Sequence, residues 1–394
     1  MPPQARIPGT VWALGAVSFF MDASSELVHA LLPLFLSVNL GASMAMIGAI
    51  EGAAEAVAQF AKFFSGALSD RSGKRKPWIL AGYGLAALTK PLFPLAGSVA
   101  TVAAARLLDR LGKGIRGAPR DALVADVTPP EIRGAAFGLR QGLDTVGAVL
   151  GPLLAAGLLL LYANDLRAAM WWAVVPAAFA VATLVLFVRE PAQHASEQRP
   201  RYRFRDAGSL PPAFWIVTAA GTLLTLARFS EAFLILRGTS LGLSLAAAPM
   251  ILVLMSVVYA AASYPAGALS DRVGRRLLLG LGILALIAAD IALAFAVDPR
   301  ALWLGIALWG LHMGLTQGLL AALVADTAPA HLRGTGFGVF YAASGVALLI
   351  GSAFAGLLWD RFGAASPFVV GAGLALFALA LLPLVHSGRG VEDM

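Results

Sequence analysis

The chain has 394 residues, of which 59% are hydrophobic and only 13% charged, with a mean hydropathy of +0.80. Soluble domains run at about 25% charged, so a water-facing surface cannot be assembled from this composition. The sequence therefore reads as an integral membrane protein, and disulfides, thiolate metal sites and cysteine nucleophiles are excluded because it has no cysteine.

A membrane helix takes about 20 residues, so the length suits twelve spans with short connections. In chain order, helix one is expected at 10–38, carrying Asp22 and Glu26. The absence of a small-residue cleavage site makes it an uncleaved span rather than a leader. Helix two, at 43–68, ends in Gly66-Ala-Leu-Ser-Asp70-Arg71-Ser-Gly73-Lys74-Arg75, and helix three follows at 77–97. Helix four, at 98–121, holds Arg106, Asp109, Arg110, Lys113, Arg116 and Arg120 at three- and four-residue steps, which puts them on one face. A charge at mid-membrane depth costs about 2.5–3.5 kcal/mol, so this face must meet water or acids rather than lipid. Helices five and six are expected at 134–161 and 167–188, and Arg140 and Asp144 in helix five have the spacing of a local ion pair.

A hydrophilic connector of 191–212 separates residues 1–190 from 213–394. The second set of helices is expected near 213–236, 246–269, 277–297, 300–324, 334–358 and 365–386. Helix seven carries Arg228 and Glu231, and helix ten carries His312. With both termini cytoplasmic, Arg71, Lys74, Arg75, Lys76, Arg133, Arg272, Arg275, Arg276 and Arg333 all lie inside. Only Arg167, Arg237, Arg300 and Arg361 fall on the other side. This positive-inside bias accounts for the net charge of +7 without nucleic acid. The connector's arginines then face anionic lipid.

The two sets repeat each other at an offset of about 200 residues. Gly66 to Arg75 recurs as Gly267-Ala-Leu-Ser-Asp271-Arg272-Val-Gly274-Arg275-Arg276, and Ala122-Leu-Val-Ala-Asp126 recurs as Ala322-Leu-Val-Ala-Asp326. Arg133-Gly134 recurs as Arg333-Gly334. Two six-helix halves joined by a charged connector mark a rocking transporter.

The Gly-x-x-x-Asp-Arg-x-Gly-(Arg/Lys)-(Arg/Lys) loop, complete in both halves, resembles the major facilitator superfamily. Arg106 with Gly112 and Gly114 resembles that family's helix-four motif, although Asp109 and Arg110 depart from it. Gly147-x-x-x-Gly151-Pro152 resembles its helix-five antiporter motif, with Ala155 and Ala156 in place of the trailing glycines. The resemblance implies an all-α fold of twelve transmembrane helices in two halves, and alternating access. The helix-five motif leans toward export. Gly112-Lys-Gly114-Ile-Arg-Gly117 also fits a dinucleotide pattern, but inside a membrane helix it reads as packing.

Asp22, Glu26 and Glu231 are the expected proton carriers. Arg106, Arg110, Lys113, Asp109, Arg228 and His312 complete the expected binding set, and the cations favour an anionic or zwitterionic solute. The expected cytoplasmic gate comprises Asp70, Arg71, Arg75, Asp126, Glu131 and Arg133 in the first half. In the second it comprises Asp271, Arg272, Arg276, Asp326 and Arg333, with Arg75 and Glu131 as a lock. The chain is expected to be a proton-coupled secondary transporter in a bacterial inner membrane, acting as a monomer, without cofactor, metal or enzymatic activity. Uptake of an organic anion or metal chelate is the alternative within transport. A transporter-like sensor is the alternative from another class.

Overall fold

Lipid offers no hydrogen-bond partner to backbone amides, so the apolar runs of this chain have to close their bonds within helices. The computed structural model describes residues 6–190, 204–329 and 332–384, and among them no strand occurs. Helix α1 (Gly9–Leu34) ends in a π-helical turn at Phe35–Asn39 and is followed by α2 (Met44–Ser72), α3 (Lys76–Thr89) and α4 (Leu92–Leu95). Next come α5 (Val99–Val127), α6 (Arg133–Leu161), α7 (Leu166–Trp171) and α8 (Val174–Phe187). The second series is α9 (Pro212–Ala227), α10 (Ala232–Ser240), α11 (Met250–Val273), α12 (Arg275–Ala294), α13 (Pro299–Thr327), α14 (Arg333–Phe362) and α15 (Ser366–Leu381). Most of the expected connector, residues 191–203, lies outside the described residues.

Among the described residues these segments make twelve crossings, because α3–α4, α7–α8 and α9–α10 are each one expected helix that is broken. Pro91 breaks the first, because it has no N–H to donate to the carbonyl of the preceding turn. In the second, Ser24 of α1 donates to the Ala173 carbonyl at 2.7 Å. The third is a correction to the expected unbroken helix at 213–236, since no proline or glycine marks it. Arg228 leaves helical geometry at φ −94°, ψ 77°. The Ser352 hydroxyl of α14 then accepts from the Ser230 amide at 3.0 Å, which satisfies a donor the broken helix leaves behind.

The chain divides into two compact units. One contains Met1–Ala42, Val57–Arg199 and Leu245–Met250; the other contains Ser43–Ala56, Pro200–Ser244 and Ile251–Met394. In the first, α1 packs on α6 and α8, and α3 packs on α5. A Cβ at Gly147 would sit 2.4 Å from the Phe19 carbonyl oxygen, so the helix-five motif is the close crossing of α1 and α6. A Cβ at Gly112 would meet the Gly82 carbonyl at 2.6 Å, which places a glycine of the dinucleotide-like pattern at the α3–α5 contact. In the second unit α12 packs on α13 and α15, and α9 on α14 and α15. Arg237 of α10 is buried there. Its guanidinium donates to the carbonyls of Leu293 (2.9 Å), Ala296 (3.0 Å) and Ala294 (3.2 Å) at the end of α12. Large apolar side chains such as Leu88, Leu160, Leu186 and Phe377 are exposed, as lipid-facing positions should be.

Candidate functional site

Helix α5 carries the densest buried charge of the first unit. Arg106, Asp109, Arg110 and Arg116 are all buried, as their helical spacing requires if they turn from lipid. Their partners come from several helices. Asp109 is met by Lys90, whose ammonium lies 2.7 Å away and also donates to Ser25 at 2.9 Å. Lys90 is fully buried, directly before the proline break between α3 and α4. Arg106 contacts the His29 Nδ1 at 2.7 Å and lies 4.0 Å from Asp109. Arg116 stacks on the Tyr83 ring and approaches Asp22 at 3.6 Å. One turn on, Arg120 donates to Ser18 at 3.1 Å and, with Arg140, shares Asp121 and Asp144.

Two carboxyl groups of α1 enter this lattice. Glu26 lies among His29, Lys113, Arg110 and Arg106. Asp22, one turn earlier, is within hydrogen-bonding reach of Asp144 on α6. Two carboxyl groups share a hydrogen bond only when one holds a proton, so this pair is a chemically competent place to bind one.

At the loop ends of α2 and α5, the Arg75 guanidinium meets Asp70 at 2.5 Å, Ser69 at 2.8 Å and Asp126 at 3.5 Å. Of the two acids expected to meet the loop arginines, Arg75 reaches Asp126, whereas Glu131 is exposed in the short turn before α6 and the Arg75–Glu131 lock is not formed. Glu190 also accepts from the amides of Arg75 and Lys76. Arg71 is exposed at the end of α2, and Arg133 donates to the Thr128 carbonyl at 3.3 Å. In the second unit Asp326 is paired by Arg275, one residue before the expected Arg276, and Arg333 donates to the Ala325 carbonyl. Arg272 is exposed, and the side chain of Asp271 lies outside the described residues.

The other expected residues of the second unit gather less. Arg228 lies among Glu231, Tyr259 and Glu55 at the break between α9 and α10. His312 is fully buried, with Nδ1 against the Gly282 carbonyl at 2.8 Å. That contact ties α13 to α12.

The Major Facilitator Superfamily model matches residues 14–250 and again 229–392, which is nearly the whole chain. The chain belongs to the major facilitator superfamily. An uncharacterized MFS-type transporter of Methanocaldococcus jannaschii is 30% identical over 381 residues, covering 94% of each chain. The multidrug resistance protein MdtH of Proteus mirabilis is 36% identical over 122 residues, 31% of this chain and 30% of that protein. Among solved structures, a point mutant of the nucleoside transporter NupG aligns with a TM-score of 0.82 at 15% identity, covering 95% of this chain and 99% of that one. Membership makes the protein a secondary transporter in a membrane, not an enzyme.

Within that family frame, sequence reasoning missed Lys90, His29, Tyr83 and Asp144 as members of the site. Lys90 and Asp144 carried a usable signal, each being a charge inside a membrane helix. With Asp126 in place of Glu131 at the loop, Asp126→Asn is expected to impair transport. It is also expected to couple to Arg75→Gln by about 0.5–3 kcal/mol, the range for residues in direct contact. Glu131→Gln is expected to behave as wild type. Transport rates of the single and double variants decide it: additive losses with Asp126, or a coupled loss with Glu131, reverse the assignment.

Proposed function

We propose that this transporter moves a small anionic or zwitterionic organic solute by alternating access, coupled to protons, with export as its direction. The observation that supports the substrate charge is the balance of charge around α5. Lys90, Arg106, Arg110, Lys113, Arg116, Arg120 and Arg140 gather there with Asp22, Glu26, Asp109, Asp121 and Asp144. The cations outnumber the acids even before a proton shared by Asp22 and Asp144 is counted. A positive surplus in a membrane-buried lattice favours the negative end of a solute. Asp22 with Asp144 supplies the proton site, and the loop ion pairs of Arg75 and Arg275 supply the cytoplasmic gate. The positive-inside pattern supports cytoplasmic termini in a bacterial inner membrane, and the protein works as a monomer.

Export is supported by the helix-five motif and by the partial match to a multidrug resistance protein. One observation favours the reverse direction: a proton on the Asp22–Asp144 pair removes a negative charge beside the cations, so proton and anion would bind together, as in uptake. The direction of the pH gradient that drives accumulation in proteoliposomes separates the two. Counterflow in the same vesicles excludes a sensor, which binds without exchange.

The substrate-charge reading is tested at Arg110. Organic anions, zwitterions and cations are screened by thermal shift, because a ligand stabilises the state it binds. For a hit, Arg110→Ala is expected to weaken affinity roughly 10- to 100-fold, the worth of hydrogen bonds to a charged group. Arg110→Lys is expected to fall between, because a point charge attracts but lacks the guanidinium fork. Unchanged affinity in Arg110→Ala, or a permanent cation as substrate, overturns the reading.

A further inference from the structure

Asp290 of α12 is the most isolated carboxyl group among the described residues. It is fully buried, and neither carboxyl oxygen has a hydrogen-bond partner there. Its surroundings are built. Gly371 of α15 faces it so closely that a Cβ there would lie 2.8 Å from Asp290 Oδ2. The same Cβ would lie 3.2 Å from the carbonyl oxygen of Ala227 and 3.3 Å from the Phe229 ring. The acid and the last residue of α9 therefore front one glycine, at the point where the seventh crossing breaks. The terminal carbonyls of a broken helix have no following turn to donate to them.

Among the described residues no cation answers Asp290. Helix α15 has no ionisable residue, and α9 has none before Arg228. Arg228 itself lies among Glu231, Tyr259 and Glu55. On α10, Arg237 is occupied by the carbonyls of Leu293, Ala294 and Ala296. On α13, Asp298 and Arg300 lie at one end and Asp326 at the other, and His312 is bonded to Gly282. Gly282 is about 12 Å down α12 from Asp290 at 1.5 Å per residue. The charged residues of α14, Arg333, Asp360 and Arg361, are confined to its ends, and the cations of α12 itself, Arg275 and Arg276, to its first turn.

An ionised carboxylate without water, hydrogen bond or counter-charge is among the most expensive groups a protein can bury. The neutral acid carries an O–H that the carbonyl of a broken helix can accept. We propose that Asp290 is a second proton-binding site, holding a proton against the Ala227 carbonyl at the break between α9 and α10. Its role in coupling rests on the proton-coupled reading above. Movement of the break exposes the carboxyl group and lets the proton leave; closure requires it to be bound. Broken helices whose freed carbonyls hold a coupling ion are a recurrent solution in transporters.

The test uses the purified full-length chain and two readouts. In the infrared, the C=O stretch of a protonated carboxylic acid is expected near neutral pH, and the part of it due to Asp290 is expected to disappear in Asp290→Asn. The amide is nearly isosteric with the neutral acid, so the variant folds. Gly371→Ala keeps the carboxyl group but crowds it, and is expected to shift the same component. A band unchanged in both variants overturns the site. In proteoliposomes, Asp290→Asn is expected to lose pH-gradient-driven accumulation while keeping wild-type counterflow. Full accumulation in that variant overturns the coupling role. If wild-type protein shows no pH-gradient-driven transport, the proton-coupled reading fails instead, and the infrared result alone decides whether Asp290 holds a proton.

Discussion

Lys90→Met is expected to produce the largest loss of stability of any single substitution in the first unit. The ammonium is fully buried, 2.7 Å from Asp109 and 2.9 Å from Ser25. Methionine fills nearly the same space, so packing is kept and only the charge is removed. Asp109 is then left as a buried carboxylate without its closest cation, with Arg110 nearby and Arg106 at 4.0 Å. Breaking a buried pair by removing one member costs about 3–5 kcal/mol. That is a large share of the about 5–15 kcal/mol that stabilises a typical fold. The double variant Lys90→Met/Asp109→Leu removes the stranded charge and is expected to recover most of the loss. Melting of purified protein, with counterflow as the functional readout, checks both. A Lys90→Met protein that melts with wild type, or a double variant worse than the single, shows that the pair does not hold α3 to α5.

Asp22→Asn and Asp144→Asn are expected to abolish pH-gradient-driven accumulation while leaving counterflow. The two side chains reach each other from α1 and α6, and basic groups flank both ends: Arg116 beside Asp22, and Arg120 and Arg140 beside Asp144. An amide in either position imitates the proton-bound pair and cannot release the proton. Exchange needs only a loaded carrier that rocks; accumulation needs the proton to come and go. Wild-type exchange is expected to vary with pH, and exchange by either variant to be flatter over the same range. Normal accumulation by both single variants and the double removes the pair from the coupling step.

The sequence showed the helices well because their ends are written locally, in charge clusters and in the 200-residue repeat. The close α1–α6 crossing was visible as a glycine motif, and the α5 stripe as a run of charges at helical spacing. What stayed hidden depended on partners distant in the chain. Arg140 and Asp144 do form their local pair at 3.6 Å, but only the packing of α6 on α1 brings Asp22 to the same carboxyl group. Lys90 stands inside the expected helix three, but its partners Asp109 and Ser25 lie on other helices, so its pairing could not be read from its neighbours in sequence. The break at Arg228 has no proline or glycine to announce it, because its stabilising hydroxyl comes from Ser352, over a hundred residues away. Asp290 does carry a local signal, being a lone acid in an apolar run.

Arg237 has a mechanical consequence. Its guanidinium is anchored to α12 by backbone carbonyls alone, and a carbonyl does not titrate. The joint between α10 and the end of α12 therefore holds across the whole working pH range and is indifferent to salt. Asp290 sits one turn before that joint, so the proton site proposed there lies beside a contact that does not itself titrate.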